Sequence, residues 1–220
     1  MSENLLKRFL TSIFLTALLL ITLFSHEYLW LILLIMASII CLIEFNNLVK
    51  IIWKKNKLNK YLANIIAFLY FIFFIFSAFQ VYNLGINLII FILLISIFSD
   101  IGGYVFGKSI GGKKLTKISP NKTVSGALGS FIFSLIPIVV FESTNKLGIV
   151  IYFNDFPEIF YLCLLVSLIN QLGDLFISLF KRHAKVKDTG SILPGHGGLL
   201  DRIDGMIFAI PFAYILFLFS

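Results

Sequence analysis

The chain has 220 residues, of which 59% are hydrophobic and only 13% charged, and its mean hydropathy is +1.00. A soluble domain carries roughly 25% charged residues, so there is too little polar surface here to cover a water-soluble globule, and the bilayer must act as part of the solvent. The net charge of +7 would point to nucleic acid in a soluble protein. In a membrane protein the gathering of Lys and Arg on the cytoplasmic side accounts for it, and no nucleic-acid partner is expected.

Seven apolar segments follow one another: Phe9–Phe24, Tyr28–Leu48, Tyr61–Tyr82, Leu84–Phe98, Val124–Phe141, Pro157–Gly173 and Gly205–Phe219. Several are shorter than the ~20 residues of an untilted span, so end residues must snorkel. Lys7 and Arg8 precede the first segment as they would in a signal peptide. Ser25-His26-Glu27 after it offers no small-x-small cleavage site, so an uncleaved span is expected. Cys41 and Cys163 lie in apolar runs without metal-type spacing and read as small buried hydrophobes.

If the N-terminus is cytoplasmic and each run crosses once, every Lys and Arg except Lys146 falls on the inside. The expected fold is therefore an all-α polytopic membrane protein, one integral domain over residues 1–220 with about seven transmembrane helices, N-in and C-out. Two long cytoplasmic segments stand out, Asp100 to Thr123 and Asp174 to Asp204, while the 142–156 connection faces outside with a slight acidic excess. Glu44, near the inner end of the second segment, is expected to reach headgroup water or a neighbouring lysine.

The first long segment reads SDIGGYVFGKSIGGKKLTKISPNKTVSG. Glycines 102, 103, 107, 111 and 112 alternate with lysines, a composition that lets backbone N–H groups approach a polyphosphate while cations neutralise it. No G-x-G-x-x-G run is present. Ser119-Pro120-Asn121-Lys122-Thr123 reads as a turn into the fifth span, at a helix N-terminus that favours anions. The same residues suit a flexible basic loop meeting anionic lipid, and both readings stand.

In the second segment Asn170, Asp174 and Ser178 share one helical face at i, i+4 and i+8, and Asn170 and Gln171 should look into the bundle rather than at lipid. Asp201 and Asp204 fall at i, i+3 before the last span. Carboxylates at the membrane boundary among lysines suit a hard divalent cation shared with substrate phosphates; they equally suit simple pairing with Arg202 and Lys181. His196, within Pro194-Gly195-His196-Gly197-Gly198, is suited to a phosphate or nucleotide contact. Spacings for acyl transfer or a zinc protease are missing.

Ser178-x-x-Lys181-Arg182, then Lys187-Asp188-x-Gly190, then Leu193-Pro194-x-His196-Gly197-Gly198-x-x-Asp201-Arg202-x-Asp204 resembles, without a break over 27 residues, the pattern of the phosphatidate cytidylyltransferase (CDP-diacylglycerol synthase) family. Asp100-x-x-Gly103-Tyr104-x-x-Gly107 and Ser119-Pro120-Asn121-Lys122-Thr123-x-x-Gly126 resemble the same family's middle motif. Departures fall at Asn121, Ser125 and Ser130, where many relatives carry Lys, Glu and Gly.

The resemblance implies transfer of a cytidylyl group from CTP to phosphatidate in the inner leaflet, giving CDP-diacylglycerol and pyrophosphate. The alternatives are another CTP-dependent transfer to a lipid or polyprenol phosphate and, less favoured, a transporter. It also implies a Mg²⁺ cofactor, with a second cation such as K⁺ left open, a homodimer, and a bacterial-type inner membrane with cytoplasmic catalytic loops. Residues 1–98 would then supply N-terminal spans and 99–204 the catalytic site. By resemblance, Asp174, Asp201, Lys187 and Arg202 are the catalytic group, and Asp174, Asp201 and Asp204 the metal ligands. Ser119, Asn121, Lys122, Thr123 and His196 would contact CTP, and Ser178, Lys181 and Arg182 the lipid phosphate.

Overall fold

A computed structural model describes residues 3–143 and 156–219, and among them the fold is all-α. The helices are α1 (Glu3–Ser25), α2 (Glu27–Ile52), α3 (Lys57–Leu84), α4 (Ile86–Ser109), α5 (Val124–Phe133), α6 (Ile136–Ser143), α7 (Phe156–His183), α8 (Leu200–Ile203) and α9 (Met206–Phe219). Six spans within the described residues are long and apolar enough to cross a membrane, with Val124–Phe141 counted as one; α9 is apolar but only 14 residues long. Large hydrophobic side chains lie outward along them, Phe14 and Phe24 on α1 and Ile66 on α3 being about two-thirds exposed. That pattern suits a lipid surround. Lys146 and residues 144–155 of the loop expected outside lie beyond the described residues.

The chain forms two compact units. One joins the described residues up to Phe79 with Phe180–Ile203; the other joins Gln80–Leu179 with the residues from Asp204 onward. In the first, α2 and α3 are tied by Trp30 Nε1 donating to the Ala78 carbonyl at 3.4 Å and by Asn64 Nδ2 donating to Asn46 Oδ1 at 3.1 Å. The Phe45 and Phe180 rings pack 5.0 Å apart, seating the last turn of α7 on α2. That turn ends in a Schellman closure: Val186 N donates to Lys181 O, Lys185 N donates to Arg182 O, and Lys185 takes φ 56°.

In the second unit α4 is the central element, with Leu88, Ile89, Phe91, Ile92 and Ile95 buried. It also corrects the expected boundary, for the helix does not end near Phe98 but runs on to Ser109. Gly102, Gly103 and Gly107 lie inside it and let α5 approach. A Cβ on Gly102 would fall 2.3 Å from Gly129 O, and one on Gly126 would fall 2.8 Å from Gly103 O. Small residues that let two backbones meet are the usual adhesive of membrane helices, which gain little from hydrophobic contact with one another. These three glycines therefore serve helix packing and not a phosphate-cradling loop.

The fifth span breaks at Ser134–Leu135. Pro137 has no N–H to give to Phe133 O and crowds that carbonyl, so α5 stops and α6 restarts.

Candidate active site

The actual connection between α4 and α5 is short. Leu115 N donates to Lys122 O at 2.8 Å and Val124 N donates to Lys113 O at 3.0 Å, so 113–124 folds back on itself. Lys122 N donates to Ser119 O at 3.0 Å, closing the expected turn with Pro120 and Asn121 at its tip. Thr123 caps α5, its Oγ1 accepting from Gly126 N at 3.0 Å, and Ser125 Oγ donates to Gly111 O. Gly111 and Gly112 have φ of 65° and 101° with open space around them, the one place in this segment where glycine's left-handed freedom is used.

Folding back brings Lys122 onto α7, where its Nζ pairs with Asp174 Oδ2, both side chains about 30% exposed. One turn further along, Ser178 Oγ donates to Asp174 Oδ1 at 3.2 Å. One turn before, the buried Asn170 donates through Nδ2 to Asp100 Oδ1 on α4 at 2.8 Å. The i, i+4, i+8 face thus carries a polar row. Asp174 and Lys122 both lie within electrostatic reach of Asp100, and Asn170 Oδ1 is buried without a hydrogen-bond partner. Two carboxylates, a serine hydroxyl and an amide oxygen make an all-oxygen donor set.

Among the described residues no group of three His, Cys, Asp or Glu side chains could hold a metal. Mg²⁺ ordinarily takes one or two carboxylates and completes its shell with water and substrate phosphates, so Asp174 and Asp100 fit it.

Asp201 belongs to the other unit and is differently placed. Its side chain is 7% exposed. Oδ1 accepts from Lys181 Nζ at 2.7 Å, and Oδ2 accepts from Thr189 N at 2.7 Å, Thr189 Oγ1 at 3.0 Å and Gly198 N at 3.2 Å. Asp201 lies on the four-residue α8, while Asp204 falls beyond it, its Oδ1 accepting from Gly205 N at 2.9 Å, so the two do not share a helical face.

The Leu193–Gly197 turn is closed by Leu193 N donating to Gly197 O at 2.9 Å, with Gly195 and Gly197 at φ of 75° and 87°. Arg202 donates to the His196 carbonyl at 2.7 Å. From α1, Arg8 Nε donates to Gly195 O at 2.8 Å, Thr11 Oγ1 donates to Pro194 O at 3.1 Å, and Ser12 Oγ meets His196 Nε2 at 3.3 Å. Burial first, then the Arg202 and Arg8 guanidiniums, hold the His196 imidazole below its ordinary value of 6.5. Arg182, Lys187 and Asn121 are exposed.

Glu44 departs from its expected setting. It is 1% exposed, and it meets neither headgroup water nor a lysine but accepts from Leu199 N at 3.0 Å, Leu200 N at 2.9 Å and Thr189 Oγ1 at 3.0 Å. An acid within an apolar helix was the signal for it; nothing in the sequence marks Thr189.

Fold and clusters together define a polytopic helical membrane protein with paired acids and lysines where its helices meet the loops. Residues 52–220 match the cytidylyltransferase family, and the chain belongs to that family. It is 40% identical over 157 residues to a phosphatidate cytidylyltransferase of Bacillus subtilis, covering 69% of this chain and 56% of that protein. Similar proteins of the same name occur in Staphylococcus haemolyticus, 46% identical over 138 residues (60% of this chain, 49% of that one), and Staphylococcus aureus, 44% over 142 (62% and 51%). The chain spans about half the length of these relatives.

Proposed function

We propose that this chain transfers the cytidylyl group of CTP to phosphatidate, forming CDP-diacylglycerol and pyrophosphate at the inner face of a bacterial-type membrane, as a homodimer with both loop segments cytoplasmic. The observation that carries this reading is the family match over residues 52–220, which takes in Asp100, Lys122, Asp174, Lys181 and Asp201. A phosphatidate oxygen attacks the α-phosphorus of CTP. An oxygen–phosphorus bond forms there, and the bond from that phosphorus to the oxygen bridging toward the β-phosphate breaks, so pyrophosphate leaves with the electron pair. The second pKa of a phosphate monoester is roughly 6, so the attacking oxygen is already largely ionised and no general base is required.

The remaining task is to hold two anions in line and to stabilise the departing charge. Lys122 neutralises Asp174 in the resting chain; an arriving triphosphate competes for that ammonium and releases the carboxylate. Asp174 and Asp100 would hold Mg²⁺, with Ser178 orienting Asp174. When bound, Mg²⁺ supplies charge neutralisation on the triphosphate and on the leaving pyrophosphate. Asp201, saturated by Lys181, Thr189 and Gly198, holds the 187–202 segment in shape; Lys187, Arg182 and Arg202 then offer cations to the phosphates, and His196 a neutral imidazole.

The test is incubation of the purified chain with cytidine-labelled CTP, phosphatidate and Mg²⁺. Label should enter a lipid-extractable product only when phosphatidate is present, and chelation of the metal should stop it. No such product from folded protein would defeat the reading.

A further inference from the structure

Glu44 lies outside the residues that match the family, yet it is the acceptor around which part of the matched segment is built. Its Oε1 takes Leu199 N, and its Oε2 takes Leu200 N and the Thr189 hydroxyl. The same hydroxyl lies 3.0 Å from Asp201 Oδ2. A hydroxyl has a single proton, so the carboxylates of Glu44 and Asp201 share it, and a change at one is felt at the other.

The glycines of this segment show how tightly the carboxylate is enclosed. A Cβ on Gly190 would stand 2.5 Å from Glu44 Oε1. One on Gly198 would stand 2.6 Å from Oε2 and 2.1 Å from Thr189 Oγ1. Neither glycine has a positive φ, so backbone freedom does not explain them. They leave room for a buried acid contributed by α2.

We propose that Glu44 is a positioning residue: through Leu199, Leu200 and the Thr189 hydroxyl it fixes the segment between α7 and α8, and with it the Asp201 carboxylate that holds that segment in shape, for the cytidylyl transfer. The transfer part rests on the functional reading above; the anchoring does not. A buried carboxylate accepting two backbone N–H groups holds them far more firmly than water would, because leaving such groups unsatisfied is costly.

The experiment uses the full chain in detergent, with Glu44→Gln, Thr189→Val, Thr189→Ser and the Glu44→Gln/Thr189→Val double variant, each normalised to folded protein. The expected results are a kcat at least about tenfold lower in Glu44→Gln and in Thr189→Val with little change in KM for CTP, and near wild-type turnover in Thr189→Ser. The double variant should be no worse than the poorer single one, because both changes cut the same path. Amide hydrogen exchange at Leu199 and Leu200 should accelerate about tenfold or more in Glu44→Gln.

Wild-type kcat in folded Glu44→Gln, losses that multiply in the double variant, or unchanged exchange at both amides would each overturn the proposal. A wild-type chain without turnover would sink the functional reading alone, and the exchange rates would still decide the anchoring.

Discussion

Asp174 and Asp201 look equivalent in the sequence, both being acids near the ends of one basic segment, but their surroundings assign them different work. Asp174 is about 30% exposed and held by Lys122 and Ser178, so removing its charge disturbs little packing. Asp174→Asn should therefore lower CDP-diacylglycerol formation by about a hundredfold or more while shifting stability by about 1 kcal/mol or less, read from initial rates and from thermal unfolding in detergent. Asp201→Asn should cost both activity and about 3 kcal/mol of stability, since Lys181 loses its counter-charge and an amide NH₂ must face existing donors. A folded, fully active Asp174→Asn would remove that residue from the site.

His196 gives a pH signature. Its folded-state value is below the unfolded 6.5, so beneath that pH the unfolded chain binds more protons than the folded one. Stability is then lost as pH falls from about 6.5 through the lowered value. Melting between about pH 8 and pH 5 should fall more steeply in the wild type than in His196→Gln; parallel curves would contradict the assignment.

At the scale of elements, hydropathy marked every long helix because crossing a bilayer demands sustained apolar runs. It misjudged where α4 ends. Gly102, Gly103 and Gly107 resemble loop formers, yet their missing side chains are what lets α5 lie against α4. Sequence spacing cannot tell a glycine that bends the chain from one that admits a neighbour. Gly129→Ala tests the packing reading: its Cβ would meet Phe106 Cβ and Cγ at 2.5 Å and Gly102 O at 2.7 Å, so the variant should lose about 1–3 kcal/mol in thermal unfolding. Unchanged stability would mean that α4 and α5 are not in such close contact.

The polar row on α7 was legible because i, i+4, i+8 spacing is a property of the helix itself. The pairing of Glu44 with Thr189 was not, for 145 residues separate them and no local period links an acid on one helix to a hydroxyl in a distant loop.

For the molecule as a whole, composition required the membrane, and the unbroken 27-residue run carried the family resemblance that the match over residues 52–220 then established. The physical logic joins the two. In the proposed transfer a lipid phosphate confined to the headgroup plane meets a soluble triphosphate, and the acids and lysines gather in segments next to the spans, at the ends of α4 and α7 and in the loops that follow. Neither Ser nor Cys is activated as a nucleophile in this account, because phosphatidate brings its own. The most direct measurement is therefore the transfer itself: purified full chain, cytidine-labelled CTP, phosphatidate vesicles and Mg²⁺. The account predicts label in a lipid-soluble product, dependent on phosphatidate and matched by released pyrophosphate. Folded protein that leaves all cytidine water-soluble would contradict it.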